Sequence, residues 1–244
     1  MLGWHGSAAT AGSENFVPHG LVTTLGLEYS YRLAEDPKQK EDATTAFWEN
    51  YLNKILLRNE WNIYVNSQTH HSGEQTSSDI TLSYFEPGGR KIIFTIIESK
   101  RVTLPKGIVD LEDQLHRYFA EVFIVNKEAN FMYGGTAFGG KIRLWKAGRN
   151  GSYIDVWSLW DGYDKEIEHY YDAGDDAQGN EIQVWFEQII GNRPSLSIDG
   201  SEMVLPSITP EGRLKWNEEQ GRYYQQEPTG EIVWTPEIRV RYNE

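Results

Sequence analysis

The run Lys91-Ile92-Ile93-Phe94-Thr95-Ile96-Ile97 limits what this chain can fold into more than any other stretch. Its apolar residues fall on both parities. A strand sends alternate side chains to opposite faces, so such a run belongs inside a sheet with both faces covered. Upstream, Ile80-Thr81-Leu82-Ser83-Tyr84-Phe85 is β-branched and aromatic, and Pro87-Gly88-Gly89 between the two runs is turn chemistry. The prediction is a hairpin whose second strand is central.

Ionisable groups mark the ends of this hairpin. The midpoint between positions 79 and 98 falls between Gly88 and Gly89. A hairpin symmetric about those glycines sets Asp79 opposite Glu98. Lys100 then shares the face of Glu98, because side-chain direction repeats every two residues. Two opposed carboxylates repel and gain nothing structurally unless a cation sits between them. Hard oxygen donors with room for water suit Mg²⁺ or Mn²⁺. A lysine beside such a site can orient or deprotonate a water and stabilise charge on a phosphoryl oxygen. This is the chemistry of phosphodiester hydrolysis.

Asp79 followed by Glu98-Ser99-Lys100 resembles the PD-(D/E)XK nuclease superfamily. The chain departs from that pattern at Ser77-Ser78, where the family often has Pro before the Asp. On the following predicted helix, Gln114-Leu115-His116-Arg117-Tyr118 is similar to the Gln-x-x-x-Tyr motif of the RecB-like branch. The resemblance implies an α/β fold with a central mixed sheet flanked by helices. Its core is restriction-endonuclease-like, in the order α-β-β-β-α-β, and here a β-rich C-terminal extension follows. It implies that Asp79 and Glu98 hold Mg²⁺ (or Mn²⁺), with the Ser99 carbonyl as a further ligand, and that Lys100 works on the water. Gln114 and Tyr118 would support the site, and Glu49, on the first helix, would add a metal carboxylate. The Gln114 amide can hold Lys100, a water at the metal or a DNA phosphate. Tyr118 equally fits the buried stripe of its helix. The implied activity is metal-dependent hydrolysis of DNA.

Around the hairpin, periodicity predicts helices over 44–57, 108–122 and 180–190, with Thr44 or Thr45 capping the first. Strands are predicted over 60–67, 131–136, 141–146 and 152–159. Residues 21–33 read as helix or strand. The chain divides into an N-terminal extension (1–43), a nuclease-like domain (44–196) and a Pro/Trp/Tyr-rich extension (197–244), whose segments 231–234 and 238–241 fit strands added to the sheet edge. Lys141, Arg143 and Trp145 alternate against Ile142 and Leu144. They suit either a nucleic-acid platform or the charged outer face of an edge strand. His70-His71 has no third ligand at zinc spacing. The Gly pairs open no P-loop, and the acidic segments 161–164 and 172–176 lack calcium-loop spacing.

Composition narrows the setting. The net charge of −13 argues against a nucleic-acid partner until it is divided. Residues 1–150 carry 16 Lys and Arg against 17 Asp and Glu, a net of −1; the remaining 7 and 19 give −12. Local charge governs phosphate contact over about 10 Å, so a DNA partner stays open. No run of about 18 apolar residues suggests a membrane span, and no signal peptide is read. The absence of Cys fits an intracellular site, cytoplasm or nucleus. Two other readings stand beside the enzyme. One is a catalytically inactive nuclease fold that binds nucleic acid or protein. In the other, the acidic C-terminal part is a protein-binding surface, or folds over the basic face as a DNA mimic.

Overall fold

The computed structural model describes residues 16–56, 62–67, 79–86, 89, 91–101, 105–125, 129–160, 167–193, 215–217, 220, 222–226, 229–230, 232–234 and 237–241. His70, His71, Pro87, Gly88, the 102–104 connector and the 161–164 acidic segment lie outside them.

The helices are α1 (Leu25–Glu35), α2 (Glu41–Leu56), α3 (Pro105–Val125) and α4 (Asp176–Gly191). The strands are β1 (Ile63–Ser67), β2 (Ile80–Phe85), β3 (Lys91–Lys100), β4 (Phe131–Phe138), β5 (Lys141–Asn150), β6 (Tyr153–Ser158) and β7 (Tyr171–Asp172). Four more follow: β8 (Lys215–Asn217), β9 (Arg222–Gln226), β10 (Ile232–Trp234) and β11 (Glu237–Arg241). The main sheet is mixed and eight-stranded, ordered β1-β2-β3-β4-β5-β6-β11 with β7 on β5. Strands β8 to β10 form a separate three-stranded sheet. Among the described residues no helix is long and apolar enough to cross a membrane.

Strand β3 is interior, as its double parity requires, and is buried from Ile92 to Ser99. It runs antiparallel to β2 and parallel to β4, the latter joined through α3. Ile80, Leu82, Ile92, Phe94 and Ile97 face a core filled by Phe47, Trp48, Tyr51 and Leu52 of α2 and by Ile182 and Phe186 of α4. Ile93, Ile96, Met132 and Trp145 face Leu115, Phe119 and Phe123 of α3. The hairpin turn closes through Gly89 N–H to Glu86 O at 3.0 Å, and Gly89 has φ +85°, a conformation that favours glycine.

Local chemistry explains several boundaries. Helix α2 starts at Glu41, ahead of its predicted cap, with Glu41 and Asp42 at the positive end of its dipole. Thr44 and Thr45 are therefore inside the helix and buried. Instead of capping, Thr44 Oγ1 accepts from Gly139 N–H at 2.9 Å and Thr45 Oγ1 lies 2.7 Å from Ser99 Oγ. These bonds fasten α2 to the ends of β4 and β3. Helix α4 also starts early, because Asp175 of the acidic segment caps it, accepting from Ala177 and Gln178 N–H. Residues 25–35 resolve as helix, packed on α2.

Helix α3 approaches the sheet over Gly134. A Cβ there would stand 2.5 Å from Phe119 Cζ and 3.0 Å from Leu115 Cδ1, and both side chains are fully buried. Gly134→Val is expected to cost about 1–3 kcal/mol through overpacking. At about 2–4 °C per kcal/mol the loss is readable by thermal denaturation. An unchanged melting temperature would mean that α3 can lift from the sheet.

Candidate active site

The site lies where the open end of the β2–β3 hairpin meets the start of α2 and the first half of α3. Asp79 stands one residue before the ladder, next to the Ile80–Ile97 pair. Its Oδ2 accepts from Ser99 N–H at 2.7 Å and from Ser99 Oγ at 3.0 Å. Ser99 Oγ in turn meets Thr45, so the α2 anchor also fixes the Asp79 rotamer. Glu98, the neighbour of Ser99 on β3, points away from α2 and toward α3, where Gln114 Nε2 donates to its Oε2 at 2.7 Å. Lys100 ends β3, and its Nζ lies 3.2 Å from Glu41 Oε1, with each side chain about one-third exposed (33% and 39%).

The register arises differently from a symmetric hairpin. Near the turn, Phe85 pairs with Lys91 and Ser83 with Ile93, but Leu82 pairs with Thr95. Phe94 is thus an extra residue, a β-bulge. The bulge shifts the ladder by one residue on β3 and brings Asp79 level with Glu98.

Electrostatics set these carboxyls apart. Glu98 is 1% exposed. Burial holds its carboxyl well above the ordinary range, and the charge of Asp79 pushes it further, while Lys100 opposes. Burial also raises Asp79; the Ser99 N–H opposes this, and the charge of Glu41 adds to it. Among the described residues, hydrogen bonds reach only one oxygen of each carboxylate, Oδ2 of Asp79 and Oε2 of Glu98.

Asp79, Glu98, Ser99, Lys100 and Gln114 are therefore gathered in one place. Tyr118 is one turn further along α3, partly buried and packed on the α3-side core. Glu49 makes no hydrogen bond or ion pair with this group among the described residues. The α2 carboxylate at the site is Glu41, which lies eight residues (about 12 Å of helix) before Glu49. Reading α2 from Thr44 or Thr45 left Glu41 in the N-terminal extension. The signal the sequence does carry is the acidic pair Glu41-Asp42, which suits the first turn of a helix. The Ser99 N–H and hydroxyl both meet Asp79, and the hydroxyl also meets Thr45.

The basic platform on β5 does not form. Strand β5 is interior, between β4 and β6, and Arg143 and Trp145 are both fully buried under α3. Arg143 pairs with Glu112 at 3.3 Å, donates to Ser158 Oγ at 3.1 Å and stacks over Trp145 at 4.4 Å. Lys141 pairs with Asp172. Alternation rightly put Arg143 and Trp145 on one face, but that face belongs to the core. Thr136, level with Glu98 on β3 and with Arg143 on β5, accepts from Trp145 Nε1 at 3.0 Å and lies 2.8 Å from Tyr170 Oη. A buried polar row thus runs across three strands from Glu98 to the Arg143–Glu112 pair.

Among the described residues no three or more His, Asp or Glu side chains converge closely enough to enclose a metal ion. A two-carboxylate site of hard oxygens is nonetheless what Mg²⁺ commonly uses, with water and substrate phosphate completing its shell. The buried, mutually repelling pair fits that ion. Comparison of the chain with protein-family models, with curated proteins and with solved structures returns no match.

Proposed function

We propose that this chain is a metal-dependent nuclease of PD-(D/E)XK type that hydrolyses phosphodiester bonds in DNA. One observation carries the reading. Two carboxylates, Glu98 fully buried and Asp79 partly so, stand at the ends of neighbouring strands beside Lys100, each held through one oxygen. No structural gain follows from that repulsion, whereas a divalent cation relieves it.

Asp79 and Glu98 would hold Mg²⁺ or Mn²⁺, which when bound supplies Lewis-acid stabilisation of phosphoryl charge. Ser99 and Gln114 keep the two carboxylates in fixed rotamers, so little reorganisation is needed when substrate arrives. Glu41 holds the Lys100 amine at the mouth of the site. When substrate binds, Lys100 exchanges Glu41 for the water or a non-bridging phosphoryl oxygen. The water oxygen bonds to phosphorus as the bond from phosphorus to the leaving oxygen breaks; the water gives up a proton to solvent, the leaving oxygen takes one from solvent, and the Lys100 charge stabilises the negative charge that builds on the phosphoryl oxygens. Arg101 and Arg117 are exposed nearby in sequence and available to phosphates.

Lys100→Ala is expected to lower the cleavage rate at least about 100-fold, the usual size of a lost acid–base or electrostatic contact. Mn²⁺ binding measured by calorimetry and the melting temperature should stay near wild type. A fully active Lys100→Ala protein would remove Lys100 from the mechanism. Loss of Mn²⁺ binding in that variant would make its role structural.

A further inference from the structure

A cavity lies on the sheet face opposite Glu98 and at the other end of β4. Its volume is about 470 Å³, in the range of small-molecule sites, roughly 300–1,000 Å³. Tyr133 and Lys146 are cross-strand partners on its floor, Phe131 begins β4 beside them, and Trp185 of α4 forms a wall. Arg193, just beyond the end of α4, also lines it.

The chemistry of this lining differs from that of the chain around it. The protein has a net charge of −13, yet the cavity is lined by two cations, three aromatic rings and two side-chain amides, with no carboxylate among its described lining residues. Lys146 Nζ sits 4.7 Å from the Phe131 ring centre and 5.8 Å from that of Tyr133. The Arg193 guanidinium lies 5.1 Å over Tyr84, and its Nη1 donates to Ile190 O at 2.8 Å. Arg193 therefore offsets the negative end of the α4 dipole, which would otherwise repel an anion here. Phe131, Lys146, Trp185 and Arg193 all keep part of their surface accessible.

We infer that this cavity binds a nucleoside monophosphate unit, its flat base against the accessible ring of Trp185 and its phosphate on Lys146 and Arg193. Aromatic faces accept any base by stacking, and paired cations take the phosphate. A simple apolar ligand would leave the cations unused, and a bare anion would leave the rings unused. The unit can come as a free nucleotide or as one residue of a single strand. This inference does not depend on the nuclease reading.

The test is calorimetric titration of the full-length chain with AMP, adenosine, inorganic phosphate and a single-stranded deoxyadenosine tetranucleotide. AMP or the tetranucleotide is expected to bind at least tenfold more tightly than adenosine or phosphate. Trp185→Ala and Lys146→Gln should each weaken that binding at least tenfold, Lys146→Gln without changing the melting curve and Trp185→Ala with a lower but still cooperative transition. Lys146→Arg should restore it, and Glu98→Gln should leave it untouched. Tighter binding of AMP identifies a free nucleotide as the source, and tighter binding of the tetranucleotide identifies a strand. Absence of AMP and tetranucleotide binding at millimolar concentration overturns the inference. So does affinity unmoved by Trp185→Ala and Lys146→Gln, or adenosine binding as tightly as AMP.

Discussion

Glu98→Gln is expected to abolish metal-dependent cleavage and, in metal-free protein above neutral pH, to raise the melting temperature by several degrees. The amide keeps the shape of Glu98 and can still accept from Gln114, but it removes a buried charge that faces Asp79. The pH dependence has a definite sign. Unfolded, Glu98 and Asp79 ionise in the ordinary carboxyl range; folded, both ionise above it, chiefly because they are buried. Between those ranges the folded chain binds more protons than the unfolded one, so wild-type metal-free stability falls as pH rises through that window. Each pH unit of separation is worth about 1.4 kcal/mol. The advantage of Glu98→Gln should therefore be largest above the window and close below about pH 4, where the Glu98 carboxyl is protonated both folded and unfolded. Mg²⁺ should stabilise wild type and leave Glu98→Gln unmoved, since a ligand stabilises only the state that binds it. Thermal denaturation across pH, with Mg²⁺ or EDTA, reads all three effects. A variant less stable than wild type in EDTA at pH 8 would mean that the carboxylate is structural.

The largest stability loss is expected at Arg143→Met. Arg143 is fully buried and Glu112 is 1% exposed, so removing the guanidinium strands a carboxylate in the core. Breaking one side of such a pair costs about 3–5 kcal/mol, whereas replacing both sides with apolar groups is often neutral. Arg143→Met with Glu112→Leu should recover most of the loss. Denaturant titration of the two single variants and the double provides the cycle. Additive losses in the double variant would mean that the two residues are not coupled. Tyr170 Oη lies 3.0 Å from Glu112 and 2.8 Å from Thr136, so the loss should also reach the row that leads to Glu98. A fall in Mg²⁺ affinity in refolded Arg143→Met protein would report that link.

The hairpin was legible because its evidence is local. Double parity of 91–97 requires an interior strand, and a two-residue period assigns Glu98 and Lys100 to one face. The alignment of Asp79 with Glu98 was reached by assuming a symmetric turn, but the chain reaches it with a bulge at Phe94, which no residue pattern announces. Glu41 was missed because a helix start is set by which side chains tertiary contacts bury. Thr44 and Thr45 look like caps in sequence, and only their bonds to Gly139 and Ser99 place them inside α2. Arg143 failed for a related reason. Alternation says which residues share a face, but a charged residue on a buried face is recognisable only once its partner, 31 positions earlier, is known. At the C-terminus, 238–241 joins the edge of the main sheet beside β6, whereas 232–234, expected on the same edge, pairs with β9 in the separate sheet; a strand pattern does not say which partner a long connection delivers it to.

The most direct measurement is cleavage of linear and supercoiled DNA, and of RNA, by wild type and Glu98→Gln in Mg²⁺, Mn²⁺ or EDTA. Cutting of DNA is expected that requires a divalent cation and vanishes in EDTA and in Glu98→Gln. No cutting of any substrate, together with no Mg²⁺ or Mn²⁺ binding by calorimetry, would contradict it.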